Sequence, residues 1–153
     1  MSGLVLAGGG HSHALILRRW SMQPGRRPSE QIALVNRAST ALYSGMVPGL
    51  IAGIYQQHQV AIDLRTLADQ AGVALVVAEI TGLDLQNREL RLDERPALSY
   101  GHLSLNLGAE TSNSPSPNSD LIPIKPLEPA LAFLSRQDQL MFKPDFAVSL
   151  FQV

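Results

Sequence analysis

The chain has 153 residues, enough for one domain with a substantial core. Apolar residues make up 45% and charged residues 16%, which excludes disorder over most of the length. Net charge is −1 and cysteine is absent, which excludes a strongly basic nucleic-acid surface, disulfide staples, thiolate metal sites and a redox-active cysteine pair within the chain.

Residues 3–7 form an apolar run that reads as a strand. The run meets Gly8, Gly9 and Gly10, and a helix is predicted over 12–22, with Ala14, Leu17 and Trp20 inward and Arg18 and Arg19 outward. Strand, glycine turn and helix in this order open a dinucleotide-binding βαβ unit. Gly8 permits the tight turn, and Gly10 lets the backbone approach a pyrophosphate. The helix start adds unpaired N–H groups and a partial positive charge. His13 stands where the fingerprint has its third glycine, so its ring either tilts the helix away or turns into the ligand crevice. Pro24, Gly25 and Pro28 mark a surface loop over 23–30. A second strand over 32–35 reads as buried on both faces. It leads to Asn36, where an acid usually holds the ribose hydroxyls; asparagine accepts from one hydroxyl and donates to another without adding charge.

Residues 41–59 read as a long irregular segment, and irregular segments of this length are often functional. Asp63 reads as the N-cap of a helix carrying Leu64, Leu67, Ala68 and Ala71 on one face and ending at Gly72. A third strand is predicted over 73–80. The period then changes to two: Leu83 and Leu85, then Leu90 and Leu92, then Leu103, Leu105 and Leu107. This predicts an antiparallel meander with turns at 86–88 and near Pro96, ending at Gly108. Residues 111–119 contain only Thr, Ser, Asn and Pro and read as a flexible loop. An extended stretch at 122–126, a helix from about Glu128 and a last strand at 146–153 complete the reading. The expected fold is α/β: a Rossmann-like FAD/NAD(P)-binding domain with a three-stranded parallel core and a small meander. Its divisions are residues 1–110 for that domain, 111–121 for the loop and 122–153 for the segment beyond.

Four motifs recur in this order in one family: Gly8-Gly-Gly-His-Ser-His13, Tyr43-Ser-Gly-Met-Val-Pro-Gly49, Ile62-Asp-Leu-Arg65 and Ile122-Pro-Ile-Lys-Pro126. The chain resembles the N-terminal FAD-binding part of the pyridine nucleotide-disulfide oxidoreductase-like module often fused to selenide, water dikinase. That module is related to type II NADH dehydrogenases and sulfide:quinone reductases. The resemblance implies FAD as cofactor, NAD(P)H as hydride donor and oxidoreductase activity. It would place Gly8, Gly10, His11, Ser12 and His13 on the FAD pyrophosphate. It would set Asn36 and Arg37 near the adenosine ribose, the Ile80 backbone near the adenine, Ser44, Gly45 and Pro48 on the flavin side, and Gly108 at the close of the crevice. Family members continue into a second glycine-rich turn that binds NAD(P)H, and 122–153 is expected to begin that domain.

The sequence designates no catalytic residue. His11, His13, His58 and His102 have no acid or cysteine at ligand spacing, so no metal is expected. The alternative to the oxidoreductase is a non-catalytic nucleotide-binding or interaction module, or an inactive remnant of such a flavoprotein. No apolar stretch is long enough to span a bilayer; 46–55 is short and broken by Pro48, Gly49 and Gly53. The expected location is the cytoplasm, with peripheral membrane contact left open. The expected partners are small-molecule cofactors, with a second copy or another chain supplying the absent domain.

Overall fold

The computed structural model describes residues 3–109 and Ala132. The chain divides at Gly108, and the unit Met1–Gly108 carries every element discussed here. The sequence expectations for the loop at 111–119, the extended segment at 122–126, the helix from Glu128 and the strand at 146–153 lie outside the described residues.

Strand β1 (Leu4–Ala7) is an apolar run with nothing to break it. It leads through the glycine turn into helix α1 (His11–Met22), which buries His13, Ala14, Leu17 and Trp20 on one stripe. A 3-10 turn at Pro24–Arg26 returns the chain to β2 (Ile32–Asn36). Four strands make the central sheet, all parallel, in the order β5-β2-β1-β9. Here β5 is Ala74–Val77 and β9 is His102–Leu105. The alternation of Leu103, Leu105 and Leu107 predicts a third meander strand, but His102–Leu105 instead joins the far side of β1 and makes the parallel core four-stranded. An alternating pattern identifies a half-buried strand; it does not say which neighbour the strand pairs with.

Each face of the sheet has its own core. Leu6, Ile32 and Leu34 pack with Ala14, Leu17 and Trp20 of α1 and with Leu64, Ala68 and Ala71 of helix α4 (Leu64–Ala71). Val5, Ala7 and Val35 face the other way, onto Leu90 and Tyr100. The pleat sends alternate residues to opposite layers, which is why all of these strand positions are apolar. The second layer is an antiparallel meander of β6 (Ile80–Asp84), β7 (Glu89–Leu92) and β8 (Arg95–Ser99). The expected strand over 73–80 is therefore two elements: β5 stops at Val77, and Ile80 starts the meander. The second turn lies just before Pro96. The chain reverses at Asp93 and Glu94, with Glu94 at φ +52, and Pro96 sits inside β8. That strand is at the sheet's edge, where a missing N–H costs no ladder bond.

The segment expected to be irregular is in fact structured. It contains β3 (Thr40–Leu42), a 3-10 turn at Ser44–Met46, helix α2 (Val47–Ile51), helix α3 (Gln57–Val60) and β4 (Ala61–Asp63), with β3 and β4 paired antiparallel. Asp63 caps α4: its carboxylate accepts the Thr66 amide at 3.0 Å and the Thr66 hydroxyl at 2.7 Å. Those bonds hold the Asp63 carboxyl below its usual range. Gly72 closes the helix in the left-handed conformation.

Candidate functional site

The chain leaves β1 toward β2 on one side, while β9 arrives on the other. The sheet thus has its switch point between β1 and β9, and ligands of open α/β sheets bind outside the carboxyl ends of strands at such a point. Gly8–Gly10 stands at the end of β1, and Asn106–Gly108 at the end of β9. The Asn106 amide donates to the Ala7 carbonyl at 2.8 Å and ties the two exits together.

Two glycines are required here by space. Gly8 has φ +92, and a Cβ on it would strike the Asn106 backbone carbonyl. A Cβ on Gly10 would strike the Asn106 side chain. Gly10 is the N-cap of α1 and has no side chain with which to cap. The helix's first bond runs from the Ala14 N–H to the Gly10 carbonyl at 3.0 Å, so the first-turn amides of His11, Ser12 and His13 are left to an outside acceptor. No acidic residue occupies that turn to compete for the positive end of the helix.

Asn106 is a functional candidate that sequence reasoning missed. Its Nδ2 is buried and has no partner among the described residues, an arrangement native proteins avoid unless something else accepts. The signal was a lone Asn between two leucines directly after a strand and two residues before Gly108. Together, the orphaned donor and the amides at the helix start fit an anionic diphosphate.

The other expected site residues divide into groups. His11 and Ser12 are exposed at the start of α1, and the His11 ring stacks on Tyr43 with centroids 4.8 Å apart. His13 turns its ring inward, between the glycine turn and β9. Its ring is 4% exposed and bonds the Gly8 carbonyl and the Ser104 hydroxyl. Asn36 reaches the turn itself, its Oδ1 accepting the Gly9 N–H at 2.8 Å while its Nδ2 donates to the Ala38 carbonyl at 2.7 Å. Arg37 follows, exposed. The Asn36 carbonyl accepts the Ala78 N–H at 3.0 Å, two residues before Ile80. Ser44, Gly45 and Pro48 are exposed and belong to the separate β3–α2 segment, which meets the helix start through Tyr43. Gly108 is exposed at φ +88. Beside the mouth lies an apolar cleft of about 270 Å³ lined by His11, Leu15, Arg18, Tyr43, Met46 and Leu67 among others; the glycine turn is not part of its wall. Among the described residues no three His, Asp or Glu converge on one point, and no helix is long and apolar enough to cross a membrane.

A parallel sheet with helices on one face, a meander on the other and a glycine turn at the switch point defines a Rossmann-like α/β domain. Solved structures share this fold. One is the sulfide:quinone oxidoreductase of the hyperthermophilic bacterium Aquifex aeolicus, with a TM-score of 0.63 at 18% identity over 94% of this chain and 33% of that one. A ferredoxin reductase from Rhodopseudomonas palustris gives 0.67 at 22% identity over 91% of this chain and 35% of that one. The NADH:rubredoxin oxidoreductase of Clostridium acetobutylicum gives 0.68 at 13% identity over 90% of this chain and 36% of that one. The chain thus spans about a third of the length of these proteins. No family profile and no curated protein matches it.

Proposed function

We propose that this chain is the FAD-binding part of a pyridine-nucleotide oxidoreductase, and that it belongs to the module associated with selenide, water dikinase. The observation that carries the reading is the mouth at the switch point, where the free amides of α1 and the buried Nδ2 of Asn106, packed against Gly10, converge. The solved structures of the same fold point the same way: each is an oxidoreductase or a reductase. FAD, when bound, accepts a hydride from NAD(P)H and passes electrons to an acceptor such as a quinone or a selenium or sulfur species. The chain's own residues bind and orient: the amides of His11, Ser12 and His13 and the Asn106 Nδ2 take the diphosphate, with Arg37 and the Ile80 backbone on the adenosine side. Ser44, Gly45 and Pro48 line the flavin side. No cysteine is present, so a dithiol relay within this chain is excluded. The nicotinamide donor meets the flavin beyond these residues, and the proposed location is the cytoplasm.

The test is a visible spectrum of the purified full chain, followed by titration with FAD and ADP under calorimetry. Bound flavin with its absorption bands is expected, and a colourless chain that binds neither ligand overturns the reading. A chain that takes ADP but not FAD is a nucleotide-binding module instead. Gly10→Val, which drives a branched side chain into Asn106, is expected to abolish binding while the buried Trp20 keeps its folded fluorescence. Retained flavin in that variant refutes the assignment of the turn.

A further inference from the structure

A Gly–Gly peptide is the freest unit in a chain, because neither residue has a Cβ to restrict it. The Gly8–Gly9 peptide nevertheless has both its polar ends held by side chains. On one end, the Gly8 carbonyl lies 2.7 Å from Nδ1 of His13. On the other, the Gly9 N–H donates to Oδ1 of Asn36 at 2.8 Å. A carbonyl can only accept, so Nδ1 of His13 carries the ring proton, and Nε2 then accepts the Ser104 hydroxyl at 2.8 Å. One neutral tautomer satisfies both contacts. Burial pushes the His13 pKa down, against the pull of the Gly8 carbonyl, which agrees with a neutral ring.

We propose that His13 and Asn36 are positioning residues that clamp the Gly8–Gly9 peptide and so fix the turn on which the diphosphate mouth is built. The proposal rests on the dinucleotide reading above. Flipped by half a turn, that peptide would set its carbonyl oxygen against Oδ1 of Asn36, acceptor against acceptor, and its N–H against the protonated Nδ1 of His13, so both bonds would be lost. Held as it is, the oxygen points inward, onto a ring that is 4% exposed. The two residues depart from the usual fingerprint, one replacing its third glycine and the other its acid, yet they grip the same peptide from opposite sides. His13 is on α1, Asn36 ends β2 and Ser104 is on β9, so the clamp also joins the three elements that frame the mouth.

The experiment compares ADP with adenosine, which lacks the diphosphate, by titration calorimetry on the full chain. His13→Leu removes both contacts of the ring. Its loss of one buried hydrogen bond to the turn is expected to weaken ADP by about tenfold. Adenosine binding should not change, because a general loss of structure would affect both ligands. His13→Asn places an amide donor where Nδ1 stands and is expected to recover ADP binding to within about threefold of the parent. Equal ADP affinity in the parent and in His13→Leu, or an Asn variant as weak as the Leu variant, overturns the clamp and leaves the dinucleotide reading standing. A parent chain that binds neither ADP nor FAD overturns both. Should His13→Leu fail to fold, nitrogen-15 spectra of the parent decide: the Nδ1–H tautomer of His13 supports the clamp, and the Nε2–H tautomer overturns it.

Discussion

Asn36→Ala tests the turn through stability. The substitution deletes an acceptor and a donor at once. The Gly9 N–H, in a turn where Gly8 and Gly9 are buried, loses its only partner among the described residues. The Ala38 carbonyl is exposed and takes up water in exchange. A part-buried bond whose loss strands a donor is worth about 1–2 kcal/mol, and an exposed one about 0.5 kcal/mol or less. The sum is about 2 kcal/mol. For a unit of about a hundred residues, the entropy of unfolding converts this into a fall in Tm of about 8–10 °C. The assay is supplied by the sequence: the chain has one tryptophan, Trp20, buried in α1 against the core, so its fluorescence reports unfolding of this unit alone. Asn36→Asp keeps an acceptor for Gly9 and loses only the exposed donor, so its Tm should fall less than half as far. An Asn36→Ala melt within about 2 °C of the parent, which corresponds to less than about 0.5 kcal/mol, refutes the account of the turn.

Three further outcomes are expected. The depressed pKa of His13 means that the unfolded chain takes a proton near the ordinary value of 6.5 which the folded chain refuses until a lower pH. Its contribution to stability is therefore full above that value and falls on acidification toward the folded pKa; Tm measured from pH 7.5 to 5 should drop, and His13→Gln should flatten the drop. Gly72→Ala places a Cβ in the left-handed region at φ +65 with only Arg27 Nε near it at 3.7 Å, so conformation and not crowding sets a cost of about 1 kcal/mol, read in urea melts; Gly72→Asn should cost less. Leu34→Ala empties a fully buried position between the sheet and α1, and a loss of roughly 3 kcal/mol is expected in the same melts.

The glycine turn and its flanking elements were legible because they are local. An unbroken apolar run, three glycines and a 3.6-residue stripe each follow from their own neighbours in sequence. The Asp63 cap and the Gly72 stop were legible for the same reason. The pairing of β9 was not, because Leu103 and Leu105 alternate identically whether the partner is β8 or β1; only the folded sheet selects β1. The β3–α2 segment hid its order because short 3-10 and helical turns carry no periodicity long enough to read. Pro96 marked the second turn only to within a few residues, because an edge strand tolerates it inside its own span. Within the site, the positions of Gly8, Gly10, His13 and Asn36 could be read from the sequence, but the partners of His13 and Asn36 could not. His13 meets Ser104 across 91 residues of chain, and no local pattern announces such a contact.

That long span also orders events in time. A ribosome delivers the glycine turn before the meander, yet Ser104 and Asn106 emerge only after the whole meander has been made. Until then β1 has one open flank, the imidazole of His13 lacks its hydroxyl, and the mouth has a floor but no second wall. Completion of the mouth is thus a late step in synthesis, gated by closure of the chain between β1 and β9.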